Sequence, residues 1–106
     1  MSRVDSRMAK QVLDQGKDFP LGCAQFVSYV MGKKHKPTSE WTRGEAVKIS
    51  DLSDGDVVGW GGNGASGHVT IYVSGEDYKF IDVNGSGAPR EMNSYGKERT
   101  LYRMRY

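Results

Sequence analysis

The spacing of apolar residues changes character near the middle of the chain. Val4, Met8, Val12 and Leu13 recur at helical spacing, which predicts a helix over residues 4–13, with Asp5 and Ser6 as early caps and Gly16 as its stop. Residues 17–22 hold Pro20 and Gly22 and read as a turn-rich loop. Cys23, Phe26, Val27, Val30 and Met31 then form an i, i+3, i+4, i+7, i+8 stripe. Such a stripe predicts a helix over 23–31 with one face on the core, closed by Gly32. Cys23 falls in its first turn and on its buried side. Residues 33–53 follow neither period and read as a long connector with a short turn at 38–41. Beyond it the period drops to two. Strands are predicted at 57–60, 68–73 and 79–84, separated by a glycine-rich loop at 61–67 and a turn at 74–77, with a last strand at 101–106. Short connections between neighbouring strands predict an antiparallel meander. Helices followed by strands make the expected fold class α+β.

Composition narrows the function classes. The chain has 106 residues, the size of one domain, so residues 1–106 are read as a single unit. Two Trp, six Tyr and three Phe supply a core, and a net charge of +2 disfavours disorder. That charge does not by itself point to nucleic acid, and the run Lys33-Lys34-His35-Lys36 reads as a solvated loop. No stretch approaches the roughly 20 apolar residues of a membrane span, and residues 1–7 carry no apolar leader. The expectation is a protein made in the cytoplasm without a signal peptide. One cysteine excludes an intramolecular disulfide framework and a Cys-rich zinc site. It leaves Cys23 as core filler, reactive thiol or intermolecular link.

The reactive alternative has specific support. A thiol attacks as thiolate, and the unpaired N–H groups of a helix start favour the anion. The backbone N–H groups of Cys23 and Ala24 are also suited to holding an oxyanion. A base must take the proton, and the two candidates are His35, in the basic loop, and His68, which opens the alternating strand. Side chains alternate along strands, so His68, Thr70 and Tyr72 share one face, and Phe80, Asp82 and Asn84 share a face of the next strand. A three-residue turn sets Asp82 opposite His68; a longer one moves the partner towards Asn84. Either side chain could hold the imidazole tautomer.

The segments Gly22-Cys23-Ala24-Gln25-Phe26-Val27, Leu52-Ser53-Asp54-Gly55-Asp56-Val57-Val58, Gly67-His68-Val69-Thr70-Ile71-Tyr72-Val73 and Phe80-Ile81-Asp82 resemble the NlpC-type and CHAP-type cell-wall cysteine peptidases. The likeness implies a papain-like fold and hydrolysis of amide bonds in peptidoglycan stem peptides or cross-links, without metal or other cofactor. It maps the nucleophile to Cys23, the base to His68 and the orienter to Asp82, with Asn84 the alternative. Trp41, Trp60 and Gly67 are expected to border the substrate groove. No obvious upstream side chain completes an oxyanion hole; Gln15 is the candidate. Two positions depart from the common pattern: Gly-Cys-Ala-Gln stands where many such enzymes have Asp-Cys-Ser-Gly, and Asp82 where His is frequent. The segment Trp41…Gly44…Val47 before Gly55-Asp56 is similar to some type VI secretion amidase effectors. That likeness implies delivery to the periplasm or cell wall, muropeptide substrates and a cognate immunity protein. A phage lysin or tail-associated peptidase, an inactive wall-binding module and a cytoplasmic thiol hydrolase or acyltransferase are the alternatives on the same fold.

Overall fold

The computed structural model describes residues 3–106; Met1 and Ser2, the start of the segment expected to carry no apolar leader, lie outside the described residues. Helix α1 spans Ser6–Gln15, two residues later than its apolar spacing predicts. Asp5 is the cap: its carboxylate accepts the Arg7 N–H at 2.9 Å. Val4 lies outside the helix because its N–H donates to Gly55 O at 2.8 Å, tying the chain start to the middle of the sequence. Gly16 closes α1 at φ 64°. Helix α2 spans Cys23–Val30, with Met31 as its last cap.

Six strands form one antiparallel sheet: β1 Thr42–Val47, β2 Val57–Gly62, β3 Ala65–Tyr72, β4 Phe80–Asp82, β5 Arg90–Met92 and β6 Leu101–Arg105. Their order is β1-β6-β2-β3-β4-β5. Of the expected meander, β2, β3 and β4 lie side by side and β5 continues the order; the last expected strand, β6, lies between β1 and β2 and not beside β4. The connector predicted at 33–53 contains β1. It is an edge strand exposed along most of its length, so its sequence carries no alternation of apolar and polar residues. The short edge strand β5 was missed for the same reason.

Residues 61–67 are not a loose loop. Gly62 pairs with Ala65, so Asn63 and Gly64 alone make the turn, both at positive φ. This is the two-residue Asn-Gly hairpin that matches strand twist. Its tip is docked: Asn63 N–H donates to Trp41 O and Gly64 N–H to Ser39 O, each at 2.8 Å.

The two sheet faces are apolar for different purposes. Val57, Val69, Ile71 and Ile81 pack under the helices with Val12, Phe26 and Val27. Val58, Phe80 and Leu101 face the other way, beneath Ile49, Leu52 and Tyr95. Among the described residues, no helix is long and apolar enough to cross a membrane.

Candidate active site

The site grows from the first turn of α2. Gly22 precedes it at φ 88° and ψ −152°, a conformation that L side chains avoid. A Cβ there would also collide with the Gly85 carbonyl oxygen. The Leu21 N–H donates to Gln25 Oε1 at 2.8 Å, which ties the incoming turn to the helix. The backbone ladder of α2 begins with Phe26 N–H to Gly22 O at 3.1 Å. The N–H groups of Cys23 and Ala24 therefore have no partner inside the helix and point with its positive end.

The second contributor is a notch in the sheet. Strand β4 pairs with β3 at Ile71↔Ile81 and Tyr72↔Phe80, and pairing stops there. Strand N–H groups point alternately to the two neighbours. Val69 N–H points to the β4 side, where no strand meets it, and donates to the Cys23 sulfur instead. The Thr38 hydroxyl lies 3.8 Å from the same sulfur. Cys23 comes from the helix side of the sheet, whereas Trp60 and Tyr95, the ring neighbours of His68, belong to the opposite face. The notch is where the two meet.

His68 hydrogen-bonds Cys23, and its Nε2 lies 2.7 Å from Asp82 Oδ2. An ionised carboxylate only accepts, so Nε2 carries the proton and Nδ1 is left for the thiol. The observed register, extended by one pair, sets Thr70 opposite Asp82 and His68 opposite position 84. Yet Asn84 is exposed, and Asp82 reaches His68 along the diagonal. Of the two expected orienters, Asp82 makes the bond.

Asp82 is wholly buried and held by two further donors. Arg90 Nε donates to Oδ1 at 2.7 Å, and the Tyr95 hydroxyl donates to Oδ2 at 2.6 Å. Tyr95 also lies 2.9 Å from Thr70 Oγ1, whose own proton reaches Ile81 O. Burial pushes the Asp82 carboxyl up, but the bonds from His68, Arg90 and Tyr95 outweigh it and hold the pKa at about 2. Burial pushes His68 down, but its bonds to Asp82 and Cys23 and their charges raise it to about 9. Burial raises the Cys23 thiol; the bond and charge of His68, then Val69 N–H and Thr38, bring it below its ordinary value. These shifts have the signs of a thiolate–imidazolium pair.

The expected groove residues divide. Trp60 lies against the His68 ring, at 5.1 Å between ring centres, and lines a cavity of about 370 Å³ beside it. Trp41 does not border a groove. It is 1 % exposed, its Nε1–H donates to Lys36 O at 2.7 Å, and its ring packs on Tyr106. It is a core residue anchoring the Asn63-Gly64 hairpin. Gly67 is exposed on β3 beside the Trp60 backbone, where a Cβ would overlap Trp60 O; it permits close strand approach. Gln15 ends α1, exposed, and the polar side chain that reaches the thiol is Thr38. His35 is exposed in its loop.

Thr38, Arg90 and Tyr95 went unrecognised in the sequence. Arg90 sits across from Asp82 in the β4–β5 register, but nothing local marks β5. Tyr95 and Thr38 come from irregular segments with no period to read. Comparison of the chain with protein-family models, with curated proteins and with solved structures gives no match.

Proposed function

We propose that the protein is a cysteine amidase of papain-like fold that hydrolyses an amide bond in peptidoglycan stem peptides or cross-links. Cys23 is the nucleophile, His68 the proton carrier and Asp82 its orienter. One observation carries this reading: the Cys23–His68–Asp82 chain, in which a fully buried carboxylate fixes the imidazole tautomer at 2.7 Å while the ring hydrogen-bonds the thiol. The cell-wall substrate comes from the likeness of the segments around Cys23, His68 and Asp82 to the NlpC-type and CHAP-type peptidases.

The chemistry follows from the residues. His68 holds the Cys23 proton, and the thiolate attacks the amide carbonyl carbon. The carbonyl oxygen becomes an oxyanion, which the Cys23 and Ala24 N–H groups stabilise at the helix start. The imidazolium gives its Nδ1 proton to the leaving nitrogen, the C–N bond breaks, and a thioester remains. Water, deprotonated by the now neutral His68, attacks the thioester; the carboxylic acid leaves and the thiol is restored. Asp82 keeps the ring aligned and stabilises its charged form throughout.

In this reading the protein is an antibacterial effector, delivered to the periplasm or cell wall by a secretion system, and its producer carries an immunity protein that blocks the cleft. The test is incubation of purified sacculi with wild type and Cys23→Ala, followed by fragment masses. Wild type is expected to release new amine and carboxyl ends, and Cys23→Ala none. Intact sacculi with both proteins would sink the hydrolase reading.

A further inference from the structure

The cavity beside His68 carries a charge that the catalytic chain does not use. Its wall includes Trp60, Asn84, Arg90, Ser94, Tyr95 and Arg99, and none of its lining residues is acidic. The Arg99 guanidinium lies over the Trp60 ring at 4.2 Å from its centre. Stacking on an indole holds the guanidinium plane in one orientation and leaves its N–H edge open. No carboxylate among the described residues forms an ion pair with Arg99, whereas Arg90 donates Nε and Nη2 to Asp82. The charges of Cys23 thiolate, His68 imidazolium, Asp82 and Arg90 cancel in pairs. Arg99 is the positive charge left over.

Its position relative to the chemistry is fixed by two rings. Arg99 stacks on Trp60, and the Trp60 ring centre is 5.1 Å from that of His68. The Arg99 guanidinium therefore lies within about 10 Å of the His68 ring, the span of about three residues of extended chain. Arg99 also stands on the wall of a second cavity, about 630 Å³, which shares Ser94 and Tyr95 with the first and adds Lys48 and Lys97 against one Asp51. Ser94, Tyr95 and Arg99 are common to both cavities, and Glu98, beside Arg99, is the one acidic residue of the 94–101 segment.

We propose that Arg99, stacked on Trp60, is a carboxylate-binding subsite that selects peptide substrates bearing a free carboxylate within about three residues of the scissile amide. The identity of the ligand as a stem peptide rests on the amidase reading; the charge it must carry rests on the cavity. A planar guanidinium pairs bidentately with carboxylate, and an amide of equal size cannot replace both acceptor oxygens. Carboxylate and carboxamide ligands therefore bind unequally.

The experiment uses Cys23→Ala, so that ligand is bound but not cut. The probe is a set of muropeptides released from sacculi by a muramidase, used native and after conversion of their carboxyl groups to amides. Affinity is read by calorimetric titration. The native set is expected to bind about tenfold or more tightly than the amidated set. Adding Arg99→Gln should remove that preference by weakening native ligand alone, and Arg99→Lys should restore part of it. Equal affinity of native and amidated ligand, an Arg99→Gln effect of less than about twofold, or no muropeptide binding at all would each overturn the subsite. The hydrolase reading is judged separately, by sacculus cleavage with wild type, so the two failures are distinguishable.

Discussion

In the proposed mechanism, the residues of the Cys23–His68–Asp82 chain act through one another's protons. The thiolate requires Cys23 deprotonated, and departure of the amine requires His68 protonated. Plots of kcat/KM against pH should therefore rise as Cys23 ionises, below the ordinary thiol range, and fall near pH 9 as His68 loses its proton. A descending limb near pH 7 would show that the imidazolium is not stabilised as the geometry implies. The Cys23 contribution can be isolated. In Cys23→Ala the ring loses the bond and charge of the thiolate, so the His68 pKa measured by NMR should drop below its wild-type value. Tyr95 acts one step further back, on Asp82 Oδ2. Removal of its hydroxyl in Tyr95→Phe should raise the Asp82 pKa and, with one fewer bond fixing the carboxylate against the ring, cut kcat by about tenfold, the scale of one charge-assisted bond. Asp82 stays ionised at neutral pH, so the alkaline limb of the pH profile should not move to lower pH. A loss of kcat with an unmoved Asp82 pKa would mean that Tyr95 only packs.

At the scale of elements, the site depends on where α2 begins and where β4 ends. Gly22 and Gly32 flank α2, both at positive φ, but only Gly22 has a backbone oxygen where a Cβ would go. Each glycine-to-alanine change should cost about 1–3 kcal/mol for the positive φ. Gly22→Ala must in addition push the helix start off the Gly85 backbone. Its kcat/KM should fall about 100-fold, the cost of an ångström-scale misplacement, while that of Gly32→Ala stays within about twofold. Steady-state kinetics alongside urea unfolding separates the two effects. A different outcome is expected inside the helix at Ser28, whose buried hydroxyl has no hydrogen-bond partner among the described residues. Ser28→Ala removes an unsatisfied polar atom and should leave stability unchanged or raise it by up to about 1 kcal/mol. These local devices account for what the sequence reveals. The apolar stripe of α2, the Gly22 turn and the alternation of β3 are written within a few residues each, so Cys23, His68 and Asp82 can be read together. The choice of Asp82 over Asn84 cannot, because it depends on β4 ending early and not on the register alone.

The whole molecule closes through contacts that no local pattern encodes. Strand β6 pairs with β1 and β2 across gaps of more than about forty residues, which is why the meander expected from neighbouring strands is incomplete. Thr38, Arg90 and Tyr95 are likewise brought to the site by contacts between elements and not by a local period. Asp56, at the start of β2, is the clearest lock. It is buried, and it accepts from Arg3 Nε at 2.9 Å, Ser53 N–H at 2.8 Å and Arg103 Nη1 at 3.1 Å. It thereby joins the chain start, the turn before β2 and the middle of β6. Burial raises its carboxyl, but these three donors outweigh it and keep the pKa below the ordinary carboxylate value. A pKa depressed by folding stabilises the fold above about pH 4 and loses that contribution as pH falls further. Wild-type Tm should therefore decline steeply on acidification below pH 4, with Asp82 adding to the loss towards pH 2. Asp56→Ala removes the lock at every pH and leaves Arg103 without its buried partner. At neutral pH it should cost about 3 kcal/mol, equivalent to a fall in Tm of more than about 10 °C for a domain of this size. Because the carboxylate is already gone, the Tm of the variant should fall less on acidification than that of wild type. Thermal unfolding of both proteins from pH 7 to pH 2 measures both quantities, and parallel curves would assign the acid sensitivity to other carboxylates.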